Sequence, residues 1–147
     1  MRDLLRRRMS LVQQRTAHKI SLMSLFEREF GVRFTGNRIV AGSIDFDMTR
    51  LEGCLKKNVD ILKASIDTLN IYISEIEGEV MHIIRNKQDF KNLNTIPGVG
   101  KILAMTIILE SGEIERFSKV GNYTSYCRCT DAKRRSNGKV KGQNLSK

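Results

Sequence analysis

Apolar positions along the chain change period several times, and each change marks an element. Leu5, Met9, Val12, Thr16, Met23, Phe26 and Phe30 fall at steps of three, four or seven, while arginines 6, 7, 8 and 15 fill much of the remaining surface. This pattern predicts one basic amphipathic helix over residues 1–30, with its helical turns at about 2–30, ending at Gly31. Residues 31–46, which begin GVRFTGNRIVAGSID, hold three glycines and no sustained period. They read as a linker, with a β-hairpin the less favoured reading. Next, Met48, Leu51, Leu55, Val59, Leu62, Ile66, Leu69, Ile73, Ile76, Val80 and Ile83 recur at steps of three and four through almost five heptads. They predict a helix over 47–86, roughly 55 Å long, with Asp45 or Asp47 as its cap. Gly53 and Gly78 weaken it by about 1 kcal/mol each against alanine. A seam this long and narrow points to a coiled coil. Its partner is either the N-terminal helix folded back on it or a second copy of the chain.

Beyond residue 86 the pattern shortens. The stretch LNTIPGVGKILA, Leu93 to Ala104, holds the chain's one proline and two glycines, and then a dense apolar run through Ile102, Leu103, Met105, Ile107 and Ile108. The run is apolar enough to be a buried helix. Glu110 to Arg116 reads as a turn and short connection, and SKVGNYTSYCRC as a last short helix. From Asp131 to Lys147 the chain is polar, basic and aperiodic, and no fixed form is expected of it alone.

The break at Pro97 has a physical reading. Proline fixes φ and disfavours α conformation at Ile96. Gly98 and Gly100 permit positive φ and a close approach of another backbone. A helix that starts near Gly100 or Lys101 leaves its first N–H groups without partners, with partial positive charge on them. Pro97, Gly98, Val99, Gly100 and Lys101 therefore form a turn suited to an anion such as a phosphate diester. The stretch IPGVGKILA resembles the helix-hairpin-helix motif, which grips the DNA backbone without reading sequence. The alternative is an ordinary tight turn between two helices. The expected fold is all-α: a long coiled-coil arm, a small helix-hairpin-helix domain over 87–130 and the basic tail 131–147.

Charge placement supports a polyanionic partner. The net charge is +10; residues 1–20 carry six Lys/Arg against one acid, residues 116–147 carry nine against one, and the residues between carry eleven against fourteen. Clustered positive charge is the footprint of phosphate-backbone binding through counterion release. The start, MRDLLRRRMSLVQQRT, is interrupted by polar residues too often for a signal peptide. No apolar stretch approaches the roughly 20 residues that span a bilayer. An intracellular, cytoplasmic protein without a membrane partner is expected. Cys54, Cys127 and Cys129 are odd in number and include one C-x-C spacing, which is no disulfide framework. With His18 and His82 isolated, no metal site is expected.

Three further stretches resemble one family. RDLLRRRMSLVQQRTAHK is similar to the arginine-rich helix that follows the catalytic domain in Piv/MooV-type DEDD transposases, the "IS one-ten" group of insertion sequences. IPGVGKILA with ESGEIERFSKVGNYTSYC is similar to the start of their C-terminal transposase domain, and RRSNGKVKGQN to the basic loop after it. The resemblance implies DNA recombination by RNA-guided multimers. An N-terminal domain holds Mg²⁺ on three aspartates and a glutamate, and a C-terminal serine attacks the DNA phosphate. It places Ser136 at the nucleophile's position, with Arg134, Arg135, Lys139 and Lys141 on DNA. Arg134, Arg135 and Lys139 would steady the charge of a pentavalent phosphate. Read without the family, Ser136 is a solvated loop serine. The family's four acids lie upstream of the arginine-rich helix, which here begins at residue 2, and Asp45, Asp47 and Glu110 do not replace them. The expectation is a truncated transposase, inactive alone and without a cofactor of its own. It would bind DNA, with the guide RNA of the parent element as a further partner, and pair with a second copy through Met48–Ile83. The competing reading is a non-catalytic coiled-coil interaction protein with basic tails. A small intact serine enzyme lacks any histidine or carboxylate pattern for a triad.

Overall fold

The computed structural model describes residues 1–43, 46–129, 131–137 and 139–145, with the backbone alone for 131–136 and 139–145. The fold is all-α in class. Its helices are α1 (Arg2–Phe30), α2 (Gly36–Val40), α3 (Gly53–Ile84), α4 (Gln88–Asn94), α5 (Lys101–Ser111) and α6 (Val120–Tyr126). The chain divides into two compact units, Met1–Glu110 and Ser111–Lys147.

Helix α1 ends where its sequence says it should. Gly31 sits at φ +67° and donates its N–H to the Glu27 carbonyl, the left-handed stop that glycine tolerates without strain. The chain then returns, and α3 packs antiparallel on α1. Arg8 donates to Glu77 at 2.6 Å and Arg15 to Asn70 at 2.8 Å, pairs one heptad apart on both helices. The long seam thus finds its partner within the chain. Leu22, Leu25 and Phe26 bury against Val59 and Ile66; Leu11 meets Leu69 and Ile73; Leu5 joins Val80 and Ile84.

Details of both stripes differ from the sequence pattern. On α1, Met9 is exposed while Leu11 and Leu22 are buried. On α3 the last buried position is Ile84, and Ile83 is half exposed. A helix turning every 3.6 residues drifts against a strict heptad, so the buried stripe leaves the heptad positions toward its end. The start of α3 also differs from the expected 47–86. Asp47 accepts the Thr49 N–H at 3.0 Å and the Thr49 hydroxyl at 2.6 Å, closing a separate 3-10 turn over Met48–Arg50. Gly53 then takes φ +54°, a conformation that no continuous right-handed helix passes through. The other candidate cap, Asp45, lies outside the described residues.

The described residues of the expected linker, 31–43 and 46, form a cover over the core. Helix α2 places Ile39 at full burial. Phe34 and Phe46 converge with Phe30 on Phe26, with ring centroids 6.3 and 5.2 Å from Phe26 for Phe34 and Phe46. Arg50 lies over the Phe30 and Phe46 rings at 5.6 and 5.7 Å, a cation–π contact. Gly36 is where α2 crosses α1: a Cβ there would meet the Lys19 Cβ at 2.7 Å.

The tail, expected without fixed form, forms an antiparallel pair, β1 (Asp131–Ser136) and β2 (Lys139–Leu145). Ser136 pairs with Lys139 at the end of the ladder. Asn137 takes φ +55°. Asn-Gly between pairing segments is the strongest short-range hairpin signal, and it outweighs the polar composition. The register slips by one residue between Lys133 and Arg135, where Arg134 of β1 faces both Lys141 and Gly142 of β2, a bulge in β2.

Candidate nucleic-acid interface

The bend after α4 stands on a small apolar base. Phe90 of α4 buries with Leu5, Val80, Ile84, Ala104 and Met105, and Val99 and Ile102 pack at the edge of that cluster. Asn94 donates to the Phe90 carbonyl at 2.6 Å and the Thr95 hydroxyl to the Asn92 carbonyl at 2.7 Å, so the end of α4 is closed by its own side chains. Val99 donates its N–H to the Ile96 carbonyl at 3.0 Å, and Gly98 between them sits at φ +86°. Proline at the second position and a left-handed glycine at the third are the residues a type II turn demands.

Helix α5 opens immediately after, with Ala104 donating to the Gly100 carbonyl at 3.0 Å. No backbone acceptor among the described residues takes the N–H of Gly98, Gly100, Lys101, Ile102 or Leu103. Pro97, Gly98, Gly100 and Lys101 are exposed, and a Cβ on either glycine would meet nothing within 4 Å. The bend is therefore open, with room for another backbone to approach. Val99 differs from its neighbours: its amide closes the turn and its side chain packs inward.

The electrostatics of α5 favour an anion at this end. Lys101 is the one base on the helix and Glu110 the one acid. Glu110 is held at the far end by Arg6 at 2.8 Å, and Arg2 donates to the Leu109 carbonyl at 3.1 Å. The hydrogen bond from Arg6 holds the Glu110 carboxyl below its ordinary pKa, with the charges of Arg6 and Arg2 adding to the effect.

Arg134, Arg135, Ser136, Lys139 and Lys141 all fall on the hairpin. Ser136 is the last residue of β1, at the turn, and Arg135 pairs with Val140 in the backbone register. The hairpin belongs to the second unit and the Pro97–Lys101 bend to the first. Sequence reading missed one feature of the second unit. Phe117, Tyr123 and Tyr126 form a ring cluster with centroid separations of 5.2 and 5.3 Å from Phe117. The signal was the spacing of aromatics through RFSKVGNYTSY.

Among the described residues no carboxylate cluster is shaped to hold a Mg²⁺ ion. Asp47 is taken up with Thr49 and Glu110 with Arg6, and among the described residues no three His, Cys, Asp or Glu side chains converge. Cys54, Cys127 and Cys129 are free and exposed. No helix among the described residues is long and apolar enough to cross a membrane.

No curated protein and no solved structure matches the chain. The stretch from Phe90 within α4 through the bend, α5, α6 and the hairpin does have a counterpart: residues 90–147 match the model of the transposase IS116/IS110/IS902 family, and over that stretch the chain is similar to an IS110-type transposase.

Proposed function

We propose that this chain is part of an insertion-sequence DNA transposase, and that it grips the DNA backbone through a helix-hairpin-helix formed by α4, the Ile96–Gly100 bend and α5. The observation that carries the reading is the exposed bend itself. Five N–H groups at Gly98, Gly100, Lys101, Ile102 and Leu103 have no backbone acceptor, and they stand at the positive end of an eleven-residue helix. Arg134, Arg135, Lys139 and Lys141 add charge from the hairpin, and the guide RNA of the parent element is a second polyanion for the same surfaces. Ser136 stands where the family carries its nucleophile. Its hydroxyl would form the bond to phosphorus as the strand's sugar oxygen leaves, a step for which the family recruits Mg²⁺-bearing carboxylates that these residues do not assemble. The chain alone binds DNA without recombining it. A second copy pairs along Met48–Ile83 over the face α1 leaves open, where Ile61, Ile71 and Tyr72 are each more than half exposed.

The test is binding to unrelated duplexes at two salt concentrations. Affinity is expected to be independent of sequence and to fall steeply with salt, because each phosphate contact releases a counterion. Strong preference for one short sequence, or no loss of affinity in Gly100→Ala, overturns the backbone grip. The second outcome favours the other reading, a coiled-coil interaction protein whose glycine bend is purely structural.

A further inference from the structure

The second unit carries an open aromatic cleft that the backbone grip does not use. Ile114, Phe117, Val120 and Tyr123 line it, with Lys119 beside them, and its volume is about 130 Å³. Tyr123 is fixed at its far end, where its hydroxyl lies 3.2 Å from the Ser111 hydroxyl. Its ring meets Phe117 edge-on at 5.2 Å. Arg116 is held over Phe117 at 4.5 Å and over Tyr126 at 4.8 Å. The walls are left to solvent: Val120 is 80% exposed and Ile114 49%.

What would cover it is decided by charge. Residues 111–147 contain nine Lys/Arg against three acids, and at the cleft itself stand Lys119 and Arg116, with Glu113 and Glu115 on the segment that carries Ile114. Aromatic faces inside a cationic surface are the means by which proteins hold unpaired nucleobases: the ring stacks and the cations meet the flanking phosphates. We propose that this cleft takes one unpaired nucleobase. The base packs against Phe117 and Tyr123 between Ile114 and Val120, and Lys119 and Arg116 meet the phosphates on either side. The proposal rests on the chain's being a DNA-binding protein, and it adds a place where a base leaves the stack.

The experiment compares binding of the full chain to an oligo-deoxyadenylate and to an abasic oligomer of the same length and charge. The readout does not pass through duplex gripping, so loss of duplex binding with retained base discrimination would sink the grip alone. The adenine strand is expected to bind at least about fivefold more tightly. Phe117→Leu, which keeps an apolar wall but removes the ring, is expected to erase the difference, as is Val120→Gln at the exposed wall. Circular dichroism checks that both variants keep wild-type helix content, and Val120→Gln is informative if the Phe117 variant misfolds. Equal affinity for the two oligomers overturns the proposal. So does undiminished discrimination in Phe117→Leu at wild-type helix content. If Val120→Gln instead lowers the sedimenting mass of the chain while the oligomers bind alike, the cleft is an interface between copies and the proposal fails.

Discussion

Arg6 and Glu110 meet fork to fork: Nε and one Nη of Arg6 each donate at 2.8 Å to a different carboxylate oxygen, across 104 residues of chain. The pair ties the start of α1 to the end of α5. It therefore fixes the helix that carries the bend to the long helical hairpin. The pair is exposed to solvent, which screens it. Glu110→Gln is expected to cost about 1 kcal/mol or less at neutral pH. Because the folded-state pKa of Glu110 is lowered, its contribution is complete above the unfolded pKa of about 4.3 and disappears as pH falls through the folded value. Urea unfolding of wild type and variant should differ at neutral pH and coincide below that value.

Gly36 is predicted to be the least replaceable glycine in the arm. An added Cβ would lie 2.7 Å from the Lys19 Cβ and 3.0 Å from the Lys19 carbonyl oxygen. Backbone on one side leaves little room to yield. Gly36→Ala is expected to destabilise by about 1–3 kcal/mol, read as a lower urea midpoint with an unchanged slope.

Gly98 and Gly100 separate strain from access. Gly98→Ala forces a side chain into φ +86° and is expected to cost about 1–2 kcal/mol of stability. Gly100 has no such φ and open space around it, so Gly100→Ala is expected to change stability by less than about 0.5 kcal/mol. Thermal unfolding of the two variants checks the difference. Duplex affinity should nevertheless fall in both, since either methyl group stands where a phosphate would come.

Ile66 and Ile71 report on the two faces of α3. Ile66 is fully buried under α1, and Ile71 is 56% exposed. Ile66→Ala is expected to cost about 2–5 kcal/mol, independent of protein concentration. Ile71→Ala should leave the isolated chain within about 0.5 kcal/mol of wild type. If a second copy covers that face, Ile71→Ala raises the chain concentration at which the melting temperature becomes concentration-dependent, and sedimentation shows a weaker assembly.

Much of this molecule is set by local pattern. The limits of α1, the existence of a long helix with a narrow apolar seam, the break at Pro97 and the helix after it all follow from periodicity and from what proline and glycine permit. These properties are carried by residues a few positions apart, so the order of amino acids alone determines them. The free N–H groups of the bend were legible for the same reason, because they follow wherever a helix begins.

Tertiary structure decided the rest. The seam was compatible with a partner in the same chain or in another copy, since apolar stripes are complementary to many surfaces; only the returning α1 settled which residues it covers. Phe34, Ile39 and Phe46 looked like linker because no period joins them, yet three-dimensional convergence on Phe26 buries Ile39 and packs Phe34 and Phe46 against the core. Burial and convergence depend on contacts between residues far apart in the chain, and no local spacing encodes them.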